Sequence, residues 1–175
     1  IRLDIGLTTS TGELFFNYAF ASEEYNEFAN SNFNDSFEFL VNGTNIALLP
    51  GTTTPVQINT VNGGDPFGTG AANPQFFNNN DLTDGGPFFD IEYDGFTDVF
   101  TASATGLSTT DEIMLSLIIE DVGDSSFDSA VFLQGGSLGG VTPPPSNVIP
   151  LPASAWLLIS GFASLAGLRR LRRAA

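Results

Sequence analysis

Before residue 148, apolar residues fall in short runs closed by turn residues, and none of the runs keeps a sustained 3.6-residue period. Residues 36–42 (SFEFLVN) are the clearest, because Phe37, Phe39 and Val41 take alternate positions and so share one face of a pleated strand. Residues 13–20 (ELFFNYAF) alternate loosely and are rich in aromatic rings. Residues 45–49, 55–59, 97–102, 112–120 and 129–133 are further runs of strand length, and residues 1–7 read as a strand ahead of them. Between them stand Asn42-Gly43, Pro50-Gly51, Asn62-Gly63-Gly64, Asp84-Gly85-Gly86-Pro87, Asp94-Gly95 and Thr105-Gly106, all turn signals. Residues 21–29 (ASEEYNEFA) predict a turn or two of helix. Residues 62–90 are a long Gly/Asn/Pro/Asp-rich insertion, and a loop of that length in a compact domain is functional or mobile. The pattern predicts an all-β fold, an antiparallel β-sandwich of jelly-roll type.

The C-terminal end has a different pattern. Residues 151–168 carry no charge, enough for a helix of about 27 Å at ~1.5 Å per residue, near the short limit for crossing a bilayer. Arg169, Arg170, Arg172 and Arg173 follow it and mark the cytoplasmic side, which leaves the preceding domain outside. Trp156 stands near the outer end of this span, where an amphipathic ring favours the interface. Residues 139–148 form a Gly/Pro linker that separates a domain at 1–138 from a tail at 149–175.

Composition sharpens this division. All 20 acidic residues precede position 129, whereas four of the five cations, all Arg, lie in the last seven residues. A body with Arg2 as its one cation has nothing with which to hold phosphates, so nucleic acid is excluded as a partner. Acidity on this scale often means disorder, but 16 of the 17 Phe precede residue 149, and a chain so rich in Phe builds a core. With neither Cys nor His, disulfides, Cys/His zinc sites, His-based triads and Cys nucleophiles are all excluded.

Two resemblances follow from particular residues. Ile149, Pro150, Leu151, Pro152 and Ala153, then an uncharged span and an Arg cluster, resemble the PEP-CTERM family of bacterial sorting signals in its VPLPA variant. That resemblance implies a Gram-negative host making exopolysaccharide. It also implies transient insertion in the inner membrane and cleavage near the proline motif by an exosortase, its partner. The two prolines also keep that motif out of regular helix and leave its backbone accessible. Residues 16–25 (FNYAFASEEY), 33–39 (FNDSFEF), 45–51 (NIALLPG), 55–59 (PVQIN), 93–97 (YDGFT) and 121–133 (DVGDSSFDSAVFL) resemble, in that order, the choice-of-anchor L domain of bacterial surface proteins. The resemblance implies an all-β domain with no established activity. It also implies that an opening portion and a signal peptide precede Ile1.

Candidate chemistry lies in the carboxylates. Asp121, Asp124 and Asp128, with Ser129, crowd one loop after an apolar strand, and no cation is near in sequence. Ca²⁺ accepts six to eight oxygens from carboxylates, carbonyls and waters, and Glu23, Glu24 and Asp35 at other strand ends are candidates to complete the set. The alternative is that these residues cap turns through Asx-type hydrogen bonds without metal. Glu23 and Glu24 as a glycosidase pair are disfavoured, because adjacent strand residues face opposite ways. Phe76, Phe77, Phe88 and Phe89 flank the long loop, as sugar-stacking rings or as anchors to the core. The expected protein is an exported, non-enzymatic surface or exopolysaccharide-matrix component. The competing readings are a Ca²⁺-dependent carbohydrate-binding or adhesive module and, behind it, a glycoside-active enzyme.

Overall fold

The computed structural model describes residues 1–123 and 126–141. Nine strands form two antiparallel sheets: β1 (Arg2–Leu7), β2 (Glu13–Ser22), β3 (Ser36–Val41), β4 (Thr44–Asn45), β5 (Phe77–Asn79), β6 (Gly95–Thr97), β7 (Phe100–Thr105), β8 (Ile113–Glu120) and β9 (Ser129–Leu133). One sheet has the order β1-β8-β3-β4; the other has β5-β6-β2-β7, with β9 paired to β2. No helix among the described residues is long and apolar enough to cross a membrane. The expected span at 151–168 lies outside the described residues, as do the proline motif at 149–153 and the Arg cluster.

Alternation decides which sheet faces meet. Phe37, Phe39 and Val41 of β3 and Ile113 and Leu115 of β8 are buried on one side. From β2, Phe16 and Tyr18 reach them, with ring centroids 3.7 Å apart for Phe16–Phe39 and 5.4 Å for Tyr18–Phe37. The two sheets thus share a core of tilted aromatic rings, in which large apolar area and ring-to-ring contact act together. The other face of β2 is covered as well: Asn17 Nδ2 donates to Gln134 Oε1 (2.8 Å), and the Asn17 N–H donates to Ser137 Oγ (2.9 Å). Gly139 still pairs with Phe15 through both backbone bonds (2.8 and 3.0 Å), so the domain holds the chain up to the first linker residue.

Four expectations from the periodicity are corrected, the first at residues 97–102, which are not one strand because β6 ends at Thr97 and β7 begins at Phe100. In residues 45–49, pairing covers only Asn45, and the chain continues to a single bridge between Leu48 and Pro55. Residues 55–59 end in a short 3-10 turn at Ile58–Thr60 rather than a strand. Residues 21–29 carry no helix; β2 runs on to Ser22 and turns follow. Leu49, Val56, Ile58, Tyr25 and Ala29 in these runs are buried, so the runs record core contact and not regular pairing.

Candidate functional site

The carboxylates singled out above lie at one end of the sandwich, where β2 runs out at Ser22, β3 begins at Ser36 and β9 begins at Ser129. Register brings these ends together, because Ser22 pairs with Ser129 and Ser36 pairs with Glu120. Asp35, just before β3, is 0% exposed. Its Oδ1 accepts the Val122 N–H (2.8 Å) and its Oδ2 accepts the Ser129 hydroxyl (2.7 Å). One carboxylate therefore ties the chain leaving β8 to the start of β9, across the two sheets. Glu23 Oε2 accepts the Asp128 N–H (3.0 Å), while the Glu23 N–H donates to the Asp128 carbonyl (3.0 Å).

Asp35, Ser129, Glu23 and Asp128 are thus brought into one corner. Asp121 is exposed just beyond β8, and Asp124 lies outside the described residues. Glu23 and Glu24 diverge: Glu23 is half-exposed, whereas Glu24 is 0% exposed. Among the described residues, no three acidic side chains converge closely enough to hold a metal ion by themselves.

Sequence reasoning missed the neighbouring cluster. Asn80, buried after β5, donates from Nδ2 to the carbonyls of Phe89, Ile91 and Tyr93 (3.4, 3.2 and 3.0 Å) and accepts the N–H groups of Phe88 and Phe89 at Oδ1 (2.7 and 2.8 Å). One amide side chain thus closes residues 81–94 into a compact loop. Its first residue, Asp81, takes the Thr83 N–H and hydroxyl at Oδ1 (2.6 and 2.9 Å). At the far end, the Asp94 carboxyl is pushed up to about 6, first by partial burial and then by the charges of Asp81, Glu27 and Glu23. The signal for this cluster was the run Asn78-Asn79-Asn80-Asp81, which reads in isolation as turn punctuation.

The aromatic rings of the long loop divide. Phe76 and Phe77 pack against the core, and Phe89 meets Phe96 edge-on at 4.9 Å. Phe88 is 65% exposed. Tyr93 and Phe132 meet edge-on at 5.9 Å beside the acidic corner, and the phenol of Tyr93 is raised by partial burial and by Asp128, Glu23 and Glu92. Two shallow grooves run along the open side between β1 and β9, lined by residues such as Leu3, Ile5, Leu117, Leu133 and Leu138; no carboxylate lines either.

No curated protein and no solved structure matches the chain. A family model described as Choice-of-anchor L domain matches residues 2–139, which spans both sheets, the acidic corner and the Asn80 loop. The chain belongs to the choice-of-anchor L domain family, a family of surface-protein domains.

Proposed function

We propose that this protein is a non-enzymatic component of the bacterial cell surface or exopolysaccharide matrix, exported and then sorted through its C-terminal tail. The observation that supports this reading is the order of parts along the chain. The family match ends at residue 139, and Ile149, Pro150, Leu151, Pro152 and Ala153, the uncharged span 151–168 and the Arg cluster follow. In this reading the span holds the precursor in the inner membrane with the acidic domain outside, and the Arg residues prevent its complete transfer. The proline motif then offers an extended backbone to an exosortase.

The test is expression in a Gram-negative host with and without its exosortase, following the chain by fractionation. A shorter form at the surface or in the matrix is expected only when the exosortase is present. Changing Pro150 and Pro152 to Ala should leave uncleaved precursor in the membrane, because the helix can then extend through the motif. Normal conversion of that variant would count against the tail's assignment.

A second reading, a Ca²⁺-dependent carbohydrate-binding or adhesive module, is favoured by the exposed rings of Phe88 and Phe132, the latter meeting Tyr93 beside the acidic corner. Pull-down on the host's own exopolysaccharide, in Ca²⁺ and in EDTA, separates the two. Retention that disappears in EDTA supports the module, and no retention in either leaves the surface-component reading alone.

A further inference from the structure

We infer that the end of the five-stranded sheet carries a divalent-cation site, built from the side-chain oxygen of Asn26 with the carboxylates of Asp81 and Asp94. It adjoins the corner around Asp35 but shares no ligand with it, and it does not depend on how the tail is processed.

Three chain segments meet there because of the register. Gly95 pairs with Ser22 on one side and with Asn79 on the other. Asp94 directly precedes Gly95 and Asp81 lies two residues after Asn79, while Asn26 is held to the same end because its Nδ2 and the Asp81 N–H both donate to Asn79 Oδ1 (3.0 and 3.2 Å). The approach is close, since a Cβ on Gly95 would lie 2.9 Å from the Tyr25 Cβ and 2.5 Å from the Phe77 ring. Only glycine at 95 lets the turn carrying Asn26 settle directly on β6.

Asn26 gives the observation that points to a ligand. It is 2% exposed, and its Nδ2 donates to Asn79 Oδ1 (3.0 Å) and to Asp84 Oδ2 (3.0 Å). The oxygen of the same amide is buried and has no hydrogen-bond partner. Exchanging the amide's oxygen and nitrogen would set an oxygen against two acceptors, so the orientation is fixed by its neighbours. A buried acceptor without a donor is disfavoured, and a cation held by the neighbouring carboxylates would satisfy it.

The charges agree. Asp81 is 3% exposed, and Asp94 sits in the field of Asp81, Glu27 and Glu23. Among the described residues the one cationic side chain is Arg2, which is exposed on β1 and already pairs with Asp4 at 2.9 Å. Two carboxylates and an amide oxygen are hard donors of the kind Ca²⁺ takes, with backbone carbonyls and water to fill the remaining positions. Mg²⁺ fits less well, because it demands a tight octahedron and keeps its waters.

The test uses the full chain in detergent, stripped with EDTA, and titrated calorimetrically with CaCl₂. Thermal unfolding is followed in parallel with CaCl₂, MgCl₂ and NaCl at matched ionic strength. A saturable Ca²⁺ heat is expected, with a rise in midpoint larger than either other salt gives. Asp94→Asn and Asp81→Asn should each weaken Ca²⁺ at least tenfold, whereas Asp128→Asn, in the other corner, should bind as the parent does. Asp94→Asn should also unfold in EDTA no earlier than the parent, which shows that the variant is folded. No saturable heat, equal stabilisation by all three salts, or loss of binding in Asp128→Asn but not in Asp94→Asn would overturn the site. So would an Asp94→Asn protein that unfolds earlier in EDTA, because Asp94 would then be a structural acceptor.

Discussion

Removing the Asp35 carboxylate is the perturbation whose cost follows most directly from the geometry. Its two oxygens take the Val122 N–H at 2.8 Å and the Ser129 hydroxyl at 2.7 Å, and Asp35 itself is inaccessible to water. Hydrogen bonds to a charged group contribute about 1.5–3 kcal/mol each, and a buried donor left without its acceptor carries a desolvation penalty of similar size. The Ser129 hydroxyl is half-buried and can rotate toward water, and Val122 lies in exposed chain, so Asp35→Ala belongs at the lower end, about 2–4 kcal/mol. At roughly 3 °C per kcal/mol for a domain of this size, that is a fall of about 10 °C in midpoint. Asp35→Asn keeps an acceptor for Val122 and offers Ser129 a donor in place of an acceptor, so about 1 kcal/mol is lost. The assay is thermal unfolding of the full chain by circular dichroism in EDTA, which keeps cations out of the comparison. Asp35→Ala should lie well below Asp35→Asn, and Ser129→Ala should cost little more once Asp35 is already Ala. An Asp35→Ala midpoint within about 3 °C of the parent in EDTA would mean that this carboxylate does not clamp the sheets. A cost that appears only with Ca²⁺ would make this carboxylate a cation ligand and not a clamp between the sheets.

Three further outcomes are expected. The carboxyl of Asp94 is pushed up to about 6 from an ordinary value of 3.8, so the fold holds its proton more tightly than the unfolded chain does. Its contribution to stability is therefore present below about pH 4 and is lost as pH rises toward 6. In EDTA the advantage of Asp94→Asn over the parent should be absent near pH 4 and full above pH 6–7; a constant difference would contradict the repulsion from Asp81, Glu27 and Glu23. Phe39→Ala opens the ring cluster between the sheets, where the Phe39 and Phe16 ring centroids are 3.7 Å apart, and should cost about 3–5 kcal/mol in denaturant unfolding; a loss under ~1 kcal/mol would mean the sheets do not depend on that contact. Neutralising Arg169, Arg170, Arg172 and Arg173 should weaken retention of the precursor in the inner membrane, and unchanged orientation and cleavage would contradict the role given to them.

The strands that were legible in the sequence are those with their own apolar rhythm. β3 alternates and β8 and β9 carry apolar runs of three or four residues, and their observed bounds fall within a residue of the expected ones. β5 and β6 are three residues each and carry no rhythm to detect; they exist because β2 and its neighbours supply partners. Residues 45–49 and 55–59 show the converse, apolar runs whose side chains reach the core while their backbones pair only at Asn45 and at single bridges. The corner around Asp35 was partly legible, since Asp35, Glu23, Asp128 and Ser129 were singled out as carboxylates and hydroxyls at strand ends. The cluster at Asn26 was not, because its contacts join residues 53 and 58 positions apart and its key atom is an amide oxygen. Nothing in an Asn codes for the absence of a donor; only the packed neighbours, with Gly95 beneath them, create it.

Processing of a surface or matrix protein through its tail shows in the intact mass of the chain recovered from each cell fraction. Matrix and surface fractions should hold a form cut near Ile149–Pro150–Leu151–Pro152–Ala153 that has lost the uncharged span beyond the cut and the four Arg, while the inner membrane of an exosortase-deficient strain should hold the uncut tail. Recovery at the surface of a form that still carries the Arg cluster, in equal amount with and without the exosortase, would contradict that processing.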